Sequence, residues 1–159
     1  MQKYKQEYDI KRIRLYLYEQ NNVLERIAFM PNQEKEVNYR QVETEFMKRV
    51  KEEIEEYLNG QRKKFDIPLI PQGTEFQQRV WQEISKIPYG ETRTYKEIAE
   101  RIGGRKCYQA IGQACHNNPH VIIVPCHRVV GSHSELGGYA GGLELKQKLL
   151  NLEQGIYGF

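Results

Sequence analysis

The sequence predicts an α+β fold in which a part with strands and one helix precedes a mainly helical part. Residues 13–19 and 23–30 alternate apolar and polar side chains around a short polar turn, which is the pattern of antiparallel strands. A segment with two prolines and a glycine, residues 65–73, follows, and after it the apolar spacing becomes helical. We therefore predict an N-terminal domain over 1–70 and a C-terminal domain over 71–159.

One amphipathic helix is predicted in the N-terminal part, over residues 46–60. Its sequence, FMKRVKEEIEEYLNG, repeats apolar residues at helical spacing and ends at Gly60. The Glu and Lys residues of this segment are expected to form its solvated face. The apolar face consists of Phe46, Val50, Ile54, Tyr57 and Leu58.

The C-terminal part is predicted to begin with a helix from Thr74 to about Ile87, because Thr74 and Gln77 have capping-box spacing. The apolar run VIIVP, which ends at Pro125, is predicted to be a buried strand. A last helix follows a polar loop and ends at Gly155. Its apolar side is formed by Leu145, Leu149 and Leu152.

Two short helices joined by a glycine turn form a helix-turn-helix pattern. The first begins at a capping box of Thr94 and Glu97 and ends at Gly103-Gly104, and the second spans about 106–116. Basic residues flank the second helix, as in helices that enter a DNA groove. Many helical domains share this pattern, so it indicates DNA binding without establishing it.

The charged and reactive residues are concentrated in one segment, although the net charge of +3 is too small for a polycation. Residues 101–130 contain no Asp or Glu, and all three Cys and all four His lie between Cys107 and His133. The odd number of cysteines and the lack of an apolar leader predict free thiols and a cytoplasmic protein. The basic residues of the segment are Arg101, Arg105, Lys106 and Arg128.

The most unusual feature of this segment is the succession of Cys126, His127 and Arg128 after an apolar run. A neighbouring imidazole or positive charge favours the thiolate and makes a cysteine nucleophilic. Adjacent side chains point in different directions, so we expect a water to bridge the thiol and the imidazole. The imidazole then needs an acceptor on its other nitrogen, and Glu153 near the end of the last helix is a candidate.

Structural interpretations of the same residues remain open at this stage. Cys126 can be an inert core cysteine, Asn118 can belong to an ordinary turn, and Tyr95 can be a half-buried core aromatic. The motif GGYAGG can be a plain loop or a close approach of the backbone to a flat ligand. A metal site is also conceivable, although no pair has the usual zinc spacing. Its ligands would come from Cys107, Cys115, His116, Cys126 and His127.

Taken together, these motifs resemble the O6-alkylguanine-DNA alkyltransferases, also called methylated-DNA–protein-cysteine methyltransferases. The resemblance runs from Phe76 to Glu153, through FQQRVWQEISKIPYGETRTYKEIA, NNP, PCHRVV, GGYAGGL and LKQKLLNLE. It implies a small N-terminal α/β domain and a C-terminal domain with a winged helix-turn-helix and an active-site cysteine. It also implies a monomer that works without cofactor or metal on double-stranded DNA containing alkylated guanine.

The resemblance assigns a role to each residue of the predicted site. Cys126 accepts the alkyl group, His127 acts through water as the base, Glu153 orients it, Tyr95 protonates or polarises the guanine, and Asn118 braces the turn. Tyr139 lines the alkyl pocket. The other substrate-binding residues implied are Val129, Ala140 and Arg128. The DNA-binding residues implied are Thr94, Arg105, Lys106, Tyr108, Gln109, Ala110 and Gln113.

The implied reaction is a stoichiometric repair. The damaged nucleotide is flipped out of the duplex, and its alkyl group moves from O6 of guanine, or O4 of thymine, to Cys126. The thioether product is stable, so each molecule reacts once.

The sequence departs from the family at two places, and the first departure keeps a lesion-binding function open. Gln109 stands where relatives commonly carry an intercalating arginine, and the N-terminal part has no Cys or His for the structural zinc of some relatives. The alternatives are a lesion-binding protein without transfer activity, a helix-turn-helix regulator with a sensing cysteine, and a Cys–His hydrolase.

Overall fold

A computed structural model describes residues 2–103, 107–156 and 159. The chain divides after Pro71 into two compact units, the first of which also includes Phe159. The first unit combines an antiparallel sheet with helices and the second is mainly helical, so the predicted α+β fold is confirmed. Among the described residues, no helix is long and apolar enough to cross a membrane.

The described part of the first unit contains a four-stranded sheet in the order β3-β2-β1-β4. The strands β1, β2 and β3 pair antiparallel, as the alternating sequence predicts for the last two, and β4 pairs parallel to β1. Tight turns at Lys11-Arg12 and Asn21-Asn22, all at positive φ, connect the three long strands. The strands are β1 (Lys3–Ile10), β2 (Ile13–Gln20), β3 (Val23–Ala28) and β4 (Arg40–Gln41).

Two helices accompany this sheet, α1 (Gln33–Asn38) and α2 (Glu45–Leu58). The predicted apolar face of α2 is buried. The expectation that its acidic residues are all solvated is wrong for Glu53, which is buried and accepts a hydrogen bond from the backbone N–H of Asp66 at 2.9 Å. The chain after α2 folds back over this carboxylate, which the helical spacing alone does not reveal.

The second unit is built around helices that begin where the sequence predicts. Both capping boxes form, Thr74 with Gln77 and Thr94 with Glu97. The first helix ends at Ile84 instead of Ile87, because the next residues tighten into a turn with i→i−3 hydrogen bonds. The elements are α3 (Glu75–Ile84), β5 (Arg93–Thr94), α4 (Tyr95–Arg101), α5 (Tyr108–His116), β6 (Val129–Val130) and α6 (Leu143–Glu153), with β5 parallel to β6.

The run VIIVP is buried as predicted, but the prediction of a strand is wrong. The backbone turns inside the run, with Ile122 at φ 71° and the N–H of Val124 donating to the carbonyl of His120 at 2.8 Å. The side chain of Asn118 closes this turn, because its amide donates to the Val124 carbonyl and its oxygen accepts from the His120 N–H. β-branched residues pack well in a buried turn when side chains satisfy the backbone.

Trp81 fixes the helix-turn-helix to the rest of the second unit. Its indole ring is buried, and its Nε1–H donates to the carbonyl of Ala114 at 2.8 Å. This bond joins α3 to the C-terminal turn of α5, where a carbonyl has no partner within the helix.

We expect Trp81→Phe to lower the free energy of unfolding by about 1–3 kcal/mol, because a buried carbonyl loses its donor. Urea unfolding followed by circular dichroism measures the change. Tyr108→Phe, on the exposed side of α5, is the control and should leave stability within about 0.5 kcal/mol. Equal stability of the two variants would contradict the proposed importance of the indole bond.

Candidate active site

Cys126 opens a single 3-10 turn, Cys126–Arg128, directly after the turn that Asn118 closes. The side chain of Cys126 is only 2% exposed, and its backbone N–H donates to the Val124 carbonyl at 2.8 Å. The same carbonyl accepts the Asn118 amide at 2.8 Å. Asn118 therefore holds the backbone that presents the thiol, which is the contact that the sequence predicted for this residue.

The carboxylate of Glu153 collects the polar groups around the turn. It lies 2.8 Å from Nε2 of His127, and it accepts from Arg128 at 2.8 Å and 3.0 Å through two guanidinium nitrogens. The backbone N–H of Gly90 donates to it at 3.1 Å, and the remaining guanidinium nitrogen of Arg128 donates to the carbonyl of Ile87 at 2.7 Å. The predicted pairing of His127 with Glu153 is thus present, at the C-terminal end of α6.

The predicted position of Arg128 in the substrate pocket differs from what the structure shows. Its guanidinium is buried and bound to Glu153 and Ile87, with the ring of Tyr89 5.7 Å away. The bidentate pair with Glu153 and the bond to Ile87 together use three of the five N–H donors of this arginine. The side chain of Arg128 therefore positions Glu153.

Burial and neighbouring charges set the protonation of these groups. Burial raises the pKa of the Cys126 thiol well above its ordinary value, and the Cys115 thiol adds to this rise while Lys146 and Asn118 oppose it. Burial lowers the pKa of His127, against the opposing effect of Glu153. His127 is therefore neutral at pH 7, and a neutral imidazole can take up the proton of the thiol.

Glu153 stays ionised although it is buried. Burial alone would raise its pKa, but the hydrogen bonds and charges of His127 and Arg128 outweigh burial and lower the pKa far below the ordinary value. The ionised carboxylate of Glu153 accepts a hydrogen bond from Nε2 of His127 and so keeps a proton on that nitrogen, which leaves Nδ1 as the basic atom of the neutral ring. His127 needs this tautomer to accept the proton of the adjacent Cys126 thiol.

Lys146 is the functional residue that the sequence analysis missed. It is 0% exposed, and its ammonium donates to the carbonyls of Val129 at 2.6 Å and Gly138 at 3.1 Å, and to that of Leu136. Burial lowers its pKa to about 8, against the opposing effect of the two nearby thiols, so it is charged at pH 7. The ammonium thus connects the segment after the 3-10 turn to the loop with the sequence GGYAGG, residues 137–142, which we call the glycine-rich loop.

The position of Lys146 follows from that of Glu153. The two residues are seven apart in α6, two helical turns, and share one face of the helix. Once Glu153 is placed in the site, the spacing brings Lys146 there as well. The prediction of an apolar side, with Leu149 and Leu152 buried, described only part of that face.

Two tyrosines complete the surroundings of the thiol. Tyr95 begins α4, and burial raises its pKa to about 12, with the two thiols adding to the rise, so its phenol keeps its proton at neutral pH. Burial also raises the pKa of Tyr139, whose ring meets that of His127 edge-on at 6.3 Å. Gly137, at φ 69°, lies against Tyr95, because a Cβ there would come within 2.9 Å of the tyrosine oxygen. A side chain at this position would displace Tyr95.

The residues predicted to bind DNA, as far as the structure describes them, are not among the buried residues around Cys126. Buried residues of α5 form one side of the helix, and the predicted residues form the exposed side. Thr94 caps α4 with its side chain, and Arg105 and Lys106 lie outside the described residues. The exposed residues of α5 are Tyr108, Gln109, Ala110 and Gln113, together with His116.

The remaining predicted site residues are Val129 and Ala140. Val129 is buried in β6 and its carbonyl binds Lys146, whereas Ala140 is half-buried in the glycine-rich loop. Within the described ranges, no group of three or more His, Cys, Asp or Glu side chains is arranged to hold a metal ion.

Comparison with known proteins agrees with this geometry. Residues 75–155 match the DNA-binding domain of 6-O-methylguanine DNA methyltransferase. A methylated-DNA–protein-cysteine methyltransferase of Methanosarcina mazei is 53% identical over 110 residues, which are 69% of this chain and 70% of that protein. The chain belongs to the methylated-DNA–protein-cysteine methyltransferase family.

Other members of this family extend the match beyond the site. The constitutive methylated-DNA–protein-cysteine methyltransferase of Bacillus subtilis is 48% identical over 116 residues, 72% of this chain and 70% of that protein. The crystal structure of Mycobacterium tuberculosis OGT in complex with DNA superposes with a TM-score of 0.88 at 36% identity, over 97% of this chain and 94% of that one. The structural match therefore includes the N-terminal unit, which contains none of the sequence motifs of the resemblance.

We expect Lys146→Met to lower the free energy of unfolding by about 1–3 kcal/mol, because three carbonyl oxygens lose the donor they share. Urea unfolding followed by the fluorescence of Trp81 measures this. Lys148→Met is the matched control, since the Lys148 side chain is 45% exposed on the same helix. If both substitutions have the same small effect, the buried ammonium does not hold the loop.

Proposed function

We propose that the protein repairs DNA by transferring an alkyl group from O6 of guanine to the sulfur of Cys126. The observation that carries this proposal is a buried thiol next to a neutral His127, which is oriented by an ionised Glu153. An inert core cysteine does not need such neighbours. The relatives named as methylated-DNA–protein-cysteine methyltransferases support the same reaction.

The reaction begins with the loss of the thiol proton. Burial disfavours a standing thiolate at Cys126, so the proton leaves only when a base is in place. We assign this base to His127, acting through a water, with Glu153 stabilising the imidazolium that forms. Lys146 adds positive potential near the sulfur. The sulfur then attacks the alkyl carbon, and the bond between that carbon and the guanine oxygen breaks.

The leaving guanine carries the negative charge at the end of the reaction. Tyr95 is assigned to neutralise this charge, because its phenol keeps its proton at neutral pH and lies near the thiol. Tyr139 is assigned to line the alkyl pocket, and backbone groups of Val129 and Ala140 to contact the base. The ammonium of Lys146 fixes Val129 and the glycine-rich loop for this purpose.

A base inside a duplex cannot reach a buried thiol, so the nucleotide has to flip out of the stack. The exposed side of α5 is proposed to enter the DNA groove, as the second helix of a helix-turn-helix does. Gln109 is proposed to fill the space that the flipped base leaves. It is neutral and shorter than arginine, so it holds the opened duplex less firmly.

Several properties follow from this chemistry. A thioether is chemically stable, so we propose that each molecule reacts once and without a cofactor. O4-alkylthymine is proposed as a second substrate because its alkyl group is also bound to a ring oxygen. Free thiols persist in reducing compartments, and we propose that the protein acts as a cytoplasmic monomer.

We expect one methyl group, about 14 Da, to appear on Cys126 when the protein meets a duplex with a single O6-methylguanine, because the acceptor bond is covalent. Intact-mass spectrometry and peptide mapping measure the uptake, which should stop at one equivalent. Cys126→Ala should abolish it and keep DNA binding, and Cys107→Ser should change nothing. Transfer that persists in Cys126→Ala would identify another acceptor. An unchanged mass with preferential binding of the lesion would replace this proposal with a lesion-recognition protein.

We expect Gln109→Arg to tighten duplex binding about fivefold, the effect of roughly 1 kcal/mol, and to speed transfer. Gln113→Arg adds the same charge to the same side of α5 and is the matched control. Binding by fluorescence anisotropy and single-turnover transfer rates separate the two effects. Faster transfer in Gln109→Arg alone supports occupation of the base stack, and equal rates in both variants would show that only charge matters.

A further inference from the structure

A second cysteine lies beside the acceptor. The thiol of Cys115 lies close enough to that of Cys126 to raise its pKa, and both residues are buried, at 8% and 2% exposure. Cys115 occupies the last turn of α5, eleven residues before Cys126, so helical spacing does not bring the two together. The turn that Asn118 closes, between α5 and Cys126, brings the two cysteines together.

The backbone positions of the two cysteines are fixed by a short chain of hydrogen bonds. The carbonyl of Cys115 accepts from the backbone N–H of Asn118 at 3.3 Å, and the Asn118 side chain donates to the carbonyl of Val124. The backbone N–H of Cys126 donates to that same carbonyl at 2.8 Å. Asn118 therefore holds both cysteine backbones at once.

The pair lies among the residues assigned to the reaction. Tyr95, Tyr139 and Lys146 are each close enough to both thiols for their pKa values to respond to them. Under the proposed function this pocket admits a flipped nucleotide whose alkyl carbon reaches the Cys126 sulfur. A peroxide is much smaller than that base and has the same route to the sulfur.

An acceptor of this kind is exposed to a side reaction. The base that removes the Cys126 proton for transfer also makes this sulfur open to oxidation to a sulfenic acid, and further oxidation to sulfinic acid is irreversible without a dedicated enzyme. A neighbouring thiol stops this sequence by condensing with the sulfenic acid to form a disulfide.

We propose that Cys115 is a resolving thiol for the acceptor, so that a peroxide converts Cys115 and Cys126 into a disulfide that suspends transfer and that a dithiol reopens. This inference rests on the proposed function for the role of Cys126. It adds a reversible oxidised state, in which an unused repair molecule is protected and not destroyed.

The steps balance with hydrogen peroxide as the oxidant. The sulfur of Cys126 attacks one peroxide oxygen, the O–O bond breaks, and a sulfenic acid and one water result. The sulfur of Cys115 then attacks the sulfenic sulfur, the S–O bond breaks, and a second water leaves. Two thiols and one peroxide thus give one disulfide and two waters. A dithiol reductant returns both thiols and becomes a disulfide itself.

The third cysteine provides the matched control. Cys107 caps the N-terminal end of α5, and Cys115 is the eighth residue of that helix. At 1.5 Å per residue their backbones are about 12 Å apart. A disulfide needs Cα atoms within roughly 7 Å, so a bond between Cys107 and Cys115 does not fit the helix.

The experiment treats reduced protein with a small excess of hydrogen peroxide, removes the peroxide, and divides each sample into two, one of which receives dithiothreitol. Methyl uptake from an O6-methylguanine duplex, intact mass and peptide maps are measured for the wild type, Cys115→Ser and Cys107→Ser. Uptake is normalised to the untreated sample of the same variant. Wild-type protein already methylated on Cys126 is oxidised in parallel.

Oxidised wild type and Cys107→Ser should each lose about 2 Da, the two hydrogens of a closed disulfide, show a linked Cys115–Cys126 peptide, and regain full uptake with dithiothreitol. Oxidised Cys115→Ser should gain oxygen on Cys126 and recover little uptake, because sulfinic acid is not reduced by dithiols. The methylated protein should form no linked peptide.

Two results would overturn the inference: oxygen addition without a linked peptide in the wild type, or recovery of Cys115→Ser to the wild-type level. The linked peptide is read from wild-type protein alone, so the test stands even if Cys115→Ser does not fold. Failure of the untreated wild type to take up methyl would instead refute the proposed function, whatever the peptide map shows.

Discussion

The active site depends on one buried carboxylate, that of Glu153. It is bound by the imidazole of His127 and the guanidinium of Arg128, which both belong to the 3-10 turn, and by the backbone N–H of Gly90 in a separate loop. A buried charge is tolerated only when its partners are complete, and removing one partner of such a pair costs about 3–5 kcal/mol. Through this carboxylate, the geometries of the 3-10 turn, the end of α6 and the loop at Gly90 depend on one another.

This arrangement explains how a weak acid can serve as a nucleophile. Burial in the pocket raises the pKa of the Cys126 thiol, so the sulfur stays protonated until a base removes its proton. The base is supplied by the next residue in the chain, and its neutral form and tautomer are set by Glu153. Lys146 contributes the positive charge of the pocket while its ammonium holds the loop. Packing and catalysis are thus properties of the same contacts.

The sequence predicts the local features of this protein well, because their causes are local. The capping boxes of Thr94 and Thr74, the apolar face of α2 and the motif around Cys126 depend on residues within a few positions of each other. The fold class and the contact of His127 with Glu153 were also predicted. The turn inside VIIVP was not, because hydrogen bonds from Asn118 decide it and composition favours a strand.

The features that were missed are those that only tertiary structure creates. Lys146 is as polar as any surface lysine, and its burial depends on three carbonyls from the loop it faces. The pairing of Cys115 with Cys126 depends on the turn at Asn118. Arg128 was predicted to bind the substrate, yet its guanidinium is paired with Glu153. The exposed residues of α5 include no lysine or arginine, so under the proposed function this helix relies on groove shape and neutral hydrogen bonds more than on ion pairs with phosphates. The charge of Arg128, which the sequence places next to the acceptor, is thus used inside the protein, where it helps to build the site.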